Sequence, residues 1–360
     1  MRKGILSLMA LTTAAALSLT ACGDDGNDSG GSGEAKGKVG VILPDTASSA
    51  RWENFDRPYL EQAFKAAGVE SDIQNAEGSA QRFQTIADQM LTSGVTVLLV
   101  TGLDSNSAAA VQRKAQAQGV KTIDYDRLTL GGVADYYVSF NNVKVGETMG
   151  EGLQKCLGDK DANIVYLNGA PSDNNATLFA KGSHNVLDKV STYKKVAEQP
   201  VPDWEAEKGA TLFEQMWTEQ HGKIDGVLAA NDNLANAVIS ILKKNQRAGK
   251  VPVTGQDATT QGLQNILDGT QCMSVYKPTK QEADAAVKLA ISLIKGEKGA
   301  TTATEHDPVG KRDVPSVLLT PIGITKENVK QVVDDGAVKA ADLCKGAYAA
   351  KCEAAGITVQ

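Results

Sequence analysis

From Lys38 onward, short apolar runs alternate with longer stretches in which apolar residues recur every three or four positions. The short runs, bounded by turn residues, predict buried parallel strands at 38–43, 69–74, 96–101, 120–124 and 136–140. Amphipathic helices are predicted between them at 52–67, 79–93 and 105–118. A second series follows, with strands at 162–168, 193–199, 224–230, 251–255 and 271–276, and helices at 143–157, 173–190, 205–221, 232–247 and 258–268. Then come a helix at 279–295, a Gly/Thr-rich stretch, the apolar run Val314–Thr320 and a short helix from Lys326. Strict strand–helix alternation predicts the α/β class, here two doubly wound parallel-sheet lobes facing each other.

The first 37 residues follow neither pattern. Arg2 and Lys3 precede an apolar run over 4–21 that ends Leu19-Thr20-Ala21-Cys22, the layout of an export signal. That ending resembles a bacterial lipobox, so the expectation for 1–22 is a lipoprotein signal peptide with Cys22 lipidated. Residues 23–37, rich in Gly, Asp and Ser, read as a flexible tether. A globular body anchored by lipid to the outer face of the cytoplasmic membrane is expected. The net charge of −6, which becomes −8 without Arg2 and Lys3, argues against nucleic acid or an anionic lipid face as a partner. Four cysteines remain in the exported body, an even number. Cys344 and Cys352 could staple the Ala/Lys-rich tail, and Cys156 could pair with Cys272 at the ends of the second lobe's elements facing away from the cleft. No C-x-x-C spacing is present, so a zinc or redox centre is not expected.

Candidate chemistry collects after the predicted strand ends, where open α/β sheets bind ligands. The first lobe offers Arg51-Trp52 and Asp126-Arg127. The second offers Asp173-Asn174-Asn175, Asp203-Trp204, Asn231-Asp232 and Gly255-Gln256-Asp257, with Lys277 after Tyr276. Singly, these read as helix N-caps, surface ion pairs or core aromatics. Ending together at one cleft edge, they read as a binding site. Carboxylates and amides suit hydroxyls, Arg and Lys donate in fixed directions, and two Trp rings can cover the C–H faces of a pyranose. The loop after the first strand has no G-x-G-x-x-G, so a dinucleotide is not expected there. A neutral monosaccharide fits the set.

At these residues the chain resembles the periplasmic sugar-binding proteins of the ribose/galactose type that serve ABC transporters. The likeness runs from Lys38 to about Gly336. It rests on Arg51-Trp52, Tyr125-Asp126-Arg127, Tyr137–Asn142, Asp173–Ala176, Asn231-Asp232, Gly255–Ala258, Val275–Pro278 and Asp313–Pro321. The resemblance implies sugar contacts from Arg51, Trp52, Asp126, Arg127, Asn175, Trp204, Asn231, Asp257 and Lys277, with D-xylose the expected ligand. It also implies a type I fold with three hinge crossings, near Phe140-Asn141, Tyr276-Lys277 and Leu318–Thr320. The expected divisions are a first lobe of 38–139 with 279–315, a second of 140–278 with 316–343, and a tail of 344–360. Hinge closure on the sugar, a monomeric body, and delivery to a permease with its ATPase complete the expectation. Glu53–Asp56 and the Thr129–Ala134 loop depart from the pattern, which keeps glucose, galactose, arabinose and sugar acids open as ligands, while the tail lies outside the likeness without bearing on binding. A membrane sensor kinase stays open as a partner. The calcium loop of the galactose-binding relatives is absent from the sequence, and neither a metal nor a cofactor is expected.

The residues also argue against an enzyme. His184 and His221 fall mid or late in predicted helices and His306 in the Gly/Thr-rich loop, away from any Ser or Cys partner at a strand end. There is no G-x-S-x-G, H-E-x-x-H or P-loop motif. Asp126 and Asp257 could flank a glycosidic bond, but Arg127 and Lys277 beside them favour the ionised forms and leave no general acid. A transcription regulator of this body plan would need a helix-turn-helix ahead of residue 38, where a signal and tether stand instead.

Overall fold

The structure is a computed structural model that describes residues 37–359. The expected signal peptide, Cys22 and the tether up to residue 36 lie outside the described residues. The first lobe is built from β1 (Lys38–Leu43), α1 (Arg57–Ala66), β2 (Glu70–Asn75), α2 (Ala80–Thr92), β3 (Val97–Val100), α3 (Ser105–Ala117), β4 (Lys121–Tyr125) and β5 (Tyr136–Phe140). The strands run parallel in the order β2-β1-β3-β4-β5. Successive side chains of a strand point to opposite faces, and both faces here are covered. Val39, Val41, Val97 and Leu99 therefore enter one core while Ile42, Leu98 and Val100 enter the other. Helix α2 buries Phe83, Ile86, Ala87, Met90 and Leu91 at helical spacing, and the Ser79 hydroxyl caps it by accepting from Arg82 N. The helix expected from Trp52 opens as a π-helical turn, Trp52–Asp56, ahead of α1.

The second lobe contains α4 (Asn142–Leu157), β6 (Ala162–Asn168), α5 (Asn174–Leu187), β7 (Tyr193–Pro200), α6 (Ala206–Glu219), β8 (Gly226–Ala229), α7 (Asp232–Lys244), α8 (Thr260–Asp268) and β9 (Ser274–Tyr276). Its parallel sheet has the order β7-β6-β8. The strand expected at 251–255 survives only as single bridges, Ala248 to Val251 and Val227 to Val253, with Gln256 bridging to Val275 just beyond it. Pro252 has no N–H to give a ladder there, although its carbonyl still accepts from Val227 N.

Helix α9 (Thr279–Ile294) returns to the first lobe, where Ala283, Ala286, Val287 and Ala290 share a core with Leu60 and Phe64. β10 (Ala303–Asp307) and β11 (Arg312–Leu319) extend the first sheet beside β5, and β12 (Ile322–Ile324) pairs with β9. The chain thus passes between lobes three times, after β5, after β9 and after β11. The third passage corrects the division expected at 315/316. Ser316–Leu319 is hydrogen-bonded in register with Tyr137–Phe140, so the strand stays in the first sheet and the chain leaves at Thr320-Pro321. The Gly/Thr-rich stretch holds the edge strand β10, which pairs antiparallel with β11.

The chain closes with α10 (Lys330–Asp334), α11 (Ala340–Leu343) and α12 (Ala349–Ala354). The segment read as a separate tail is integrated into the second lobe. Cys344, Cys352 and Ile357 are buried in one cluster with Leu263, Ile266, Tyr276 and Val332. Disulfides join Cys344 to Cys352 and Cys156 to Cys272, with Cα–Cα distances of 5.7 and 6.5 Å. Among the described residues, no helix is long and apolar enough to cross a membrane.

Candidate functional site

Between the lobes, at the carboxyl ends of both sheets, lies a small cavity. All nine of the expected contact residues line it: Arg51, Trp52, Asp126, Arg127, Asn175, Trp204, Asn231, Asp257 and Lys277. Three cations, Arg51, Arg127 and Lys277, face three carboxylates, Asp126, Asp173 and Asp257, so the lining carries no large net charge.

The first-lobe half is organised by Arg51. Its Nε and Nη2 donate to the two oxygens of Asp56 at 2.8 and 2.7 Å, Nη2 also reaches Glu282 at 2.7 Å, and Nη1 reaches Asp126 at 2.8 Å. Four of five guanidinium hydrogens are thereby used, which leaves one on Nη1 beside the cavity. Burial opposes the charge on Arg51, but the carboxylates of Asp56, Asp126 and Glu282 outweigh it and raise the pKa. Burial likewise pushes Asp126 up, yet Arg51, Lys277 and Arg127 together hold it below the usual carboxylate range. Glu282 has no such surplus of cations, and burial pushes it well above its ordinary value.

Asp126 sits at φ +63°, a backbone region that L residues seldom adopt. Its carbonyl accepts from Tyr137 Oη, Ser139 Oγ and Asn175 Nδ2 at 3.0, 2.8 and 2.9 Å, and its N–H donates to Val138 O at 2.8 Å. These four bonds hold the strained conformation. Trp52 is buried in the first-lobe core and also walls the cavity, with the Arg51 and Arg127 guanidinium carbons 4.6 and 5.4 Å from its ring centroid.

In the second lobe, helix caps and cavity residues are the same residues. Asn231 caps α7 with Oδ1, accepting from Leu234 N, while Nδ2 donates across the cleft to Ser48 O at 3.0 Å. Asp173 caps α5 through Asn175 N and turns Oδ2 toward Trp204 Nε1 at 3.2 Å and Arg127 Nε at 3.1 Å. Burial raises Asp173 despite Arg127. Trp204 stands at φ +58° with its ring edge-on to Phe179, and it passes so close to Gly169 that a Cβ there would fall 2.1 Å from the indole. Asp257, at φ +92°, accepts from Ser49 Oγ of the opposite lobe at 2.7 Å. Lys277 Nζ lies 3.2 Å from Asp257 Oδ1 and 3.9 Å from Asp126 Oδ2, between carboxylates of the two lobes. Gln256 Oε1 is buried without a hydrogen-bond partner. Such an atom at a cavity wall calls for an external donor.

Sequence reasoning missed Ser48, Ser49 and Phe179 on the wall, did not count Asp173 or Gln256 among the contacts, and missed Asp56 and Glu282 behind Arg51. Phe179 could have been found, because it lies one helical turn after Asn175. Glu282 could not, being 231 positions from the arginine it pairs with.

A family profile described as "Periplasmic binding protein domain" matches residues 39–298. The chain belongs to the periplasmic binding protein family. The fold of this periplasmic binding protein is type I, α/β with parallel sheets. The D-xylose-binding periplasmic protein of Escherichia coli (strain K12) is 34% identical over 310 residues, spanning 85% of this chain and 92% of its own. The multiple sugar-binding periplasmic receptor ChvE of Rhizobium radiobacter is 32% identical, over 86% of this chain and 93% of its own. Among solved structures, an ABC transporter solute-binding protein from Clostridium phytofermentans with bound β-D-glucose superposes with a TM-score of 0.79 at 28% identity, over 85% of this chain and 99% of that one.

Proposed function

We propose that this periplasmic binding protein captures a neutral monosaccharide, D-xylose first, between its lobes and presents the closed form to an ABC permease and its ATPase. The observation that carries the reading is a small, charge-balanced cavity whose wall is shared by both lobes and holds an unpartnered acceptor atom, Gln256 Oε1. Arg51, Asp126, Arg127, Asn175, Asn231, Asp257 and Lys277 bond the hydroxyls, and Trp52 and Trp204 cover the apolar ring faces. Since each lobe supplies part of the set, the sugar gains all its contacts only in the closed form and shifts the population toward it. Binding rather than catalysis is the outcome: the relatives that match most of the chain are named as binding proteins, and the cations around Asp126 hold it ionised. Cys22 carries a lipid that anchors the body, a claim tested by palmitate labelling of the wild type against Cys22→Ser.

A tryptophan-fluorescence titration of residues 38–360 with xylose, glucose, galactose, arabinose and ribose tests the site, repeated with Trp52→Ala and Asp257→Ala. Saturable xylose binding lost in both variants supports the reading, and no response to any sugar by fluorescence or calorimetry overturns it. The multiple-sugar relative and the glucose-bound neighbour favour a second reading, a multi-sugar binder with a receptor role. Preference for a hexose would select that ligand. Sugar-dependent induction that survives deletion of the permease would select the receptor.

A further inference from the structure

Each lobe carries the same buried arrangement directly beneath its cavity carboxylate. In the first, the Asp124 carboxylate accepts from Gln112 Nε2 at 2.6 Å, from Thr129 Oγ1 at 2.6 Å and from Thr129 N at 2.9 Å. In the second, the Asp232 carboxylate accepts from Gln271 Nε2 at 2.8 Å, from Thr259 Oγ1 at 3.0 Å and from Thr259 N at 2.8 Å. Both aspartates are fully buried. Neither lines the cavity. Each ties down the loop that does: Asp124 closes the segment 124–129, which contains Asp126 and Arg127, and Asp232 closes 256–259, which contains Asp257.

The loops need holding. Asp126 stands at φ +63°, Asp257 at +92° and Ala258 at +48°, conformations that L residues seldom adopt and that persist only when their surroundings over-determine them. Asp232 grips its loop from both sides, because its own N–H donates to Gln256 O at 3.0 Å while its carboxylate takes Thr259. Ser274 Oγ donates to the same carboxylate at 2.8 Å and accepts from Ala258 N at 3.0 Å. Space around this carboxylate is reserved as well, since a Cβ on Gly255 or Gly262 would fall 2.1 Å from one of its oxygens.

We infer that Asp124–Gln112–Thr129 and Asp232–Gln271–Thr259 are matched positioning triads, one per lobe, which set the cavity carboxylates Asp126 and Asp257 and thereby the affinity for the sugar. The inference rests on the sugar-binding reading of the cavity. In each triad the threonine joins loop to aspartate through both its N–H and its hydroxyl, so its hydroxyl can be removed without changing shape or charge.

The test uses Thr129→Val and Thr259→Val, with Thr129→Ser and Thr259→Ser as rescues, in calorimetric titrations of the residue 38–360 body with D-xylose and D-glucose. Each valine variant is expected to weaken the wild type's preferred sugar about five- to tenfold, chiefly through faster dissociation. Each serine variant, which restores the hydroxyl, should stay within about twofold of wild type. The double valine variant should lose the product of the two factors, because the triads lie in different lobes and share no partner. Valine variants that melt earlier but bind as tightly as wild type would reduce the triads to fold stabilisers and overturn the inference. A wild-type body that binds neither sugar would overturn the cavity reading first, and this one with it. Circular dichroism confirms that each variant is folded, and Asp232→Asn, which keeps the volume, supplies a second affinity measurement should Thr259→Val fail to fold.

Discussion

Replacing Arg51 by methionine keeps an unbranched side chain and removes the one cation shared by Asp56, Asp126 and Glu282. Asp56 would retain only Tyr125 Oη, at 2.7 Å, while Asp126 would retain Asn175 and Lys277. Glu282 would be left with neither carboxyl oxygen paired, since Oε1 has no partner now. Breaking a buried ion pair from one side costs about 3–5 kcal/mol. Residues 37–359 unfold with an entropy near 0.7 kcal/mol/K at about 2.1 cal/mol/K per residue, so the melting point should fall by about 4–7 °C at pH 8. The cost should shrink in acid. Burial already raises the pKa of Glu282 and Asp56, and without Arg51 both take up protons more readily and escape the unpaired charge. Differential scanning calorimetry of wild type and Arg51→Met at pH 8 and pH 5 reads both effects, and xylose affinity should fall about a hundredfold as Asp126 loses its holder. An equal loss of melting temperature at the two pH values, or a loss below about 1 kcal/mol at pH 8, would refute the hub.

Asp124 and Asp232 are pushed by burial to about 7, so the folded state binds more protons than the unfolded one between roughly pH 4 and 7 and stability falls as pH rises through that window. Asp126, depressed, and Glu198, at about 2, act oppositely below about pH 4.5, so thermal melts should place the stability optimum where the two windows meet, at about pH 4 to 4.5, with a shallower decline to pH 8 in Asp124→Asn/Asp232→Asn. An optimum at pH 8 would contradict these assignments. Ser49→Ala removes a hydroxyl that donates across the cleft to Asp257, so closure should weaken: small-angle scattering should show a larger radius at subsaturating sugar and the Kd should rise about three- to tenfold. Unchanged scattering and Kd would remove Ser49 from closure. The two disulfides close loops of very different length, with sequence separations of 116 and 8 residues. Chain entropy predicts losses of about 5 kcal/mol for Cys156→Ser/Cys272→Ser and about 2.5 kcal/mol for Cys344→Ser/Cys352→Ser, and denaturant melts that reverse this order would refute the entropic account.

The cavity was legible because a parallel strand, a turn and a helix leave a readable trace, and the residues after such strands must sit at the cleft edge. The same logic made Asn231 and Asp173 ambiguous between cap and contact. The structure dissolves the choice, since one carboxyl or amide oxygen caps the helix while the other polar atom faces the cleft. What stayed hidden has two physical sources. The first is long-range pairing: no local pattern reports that Glu282 on α9 reaches Arg51, or that the apolar spacing of Leu343, Cys344, Cys352 and Ile357 finds a partner surface on α8 and β9 rather than solvent. The second is local rules overridden by the site. Pro252 broke a strand that the apolar pattern called for, while Asp126, Trp204 and Asp257 adopt positive φ where sequence alone would have placed glycine. Conflicts between local preference and fold concentrate where function requires them. The carboxylates are needed at those points for their oxygens, so the conformation has to be enforced from outside the residue. The neighbours that enforce it, Tyr137, Ser139 and Asn175 around Asp126 and the buried aspartates below the loops, belong to the binding site as much as the atoms that face the cavity do.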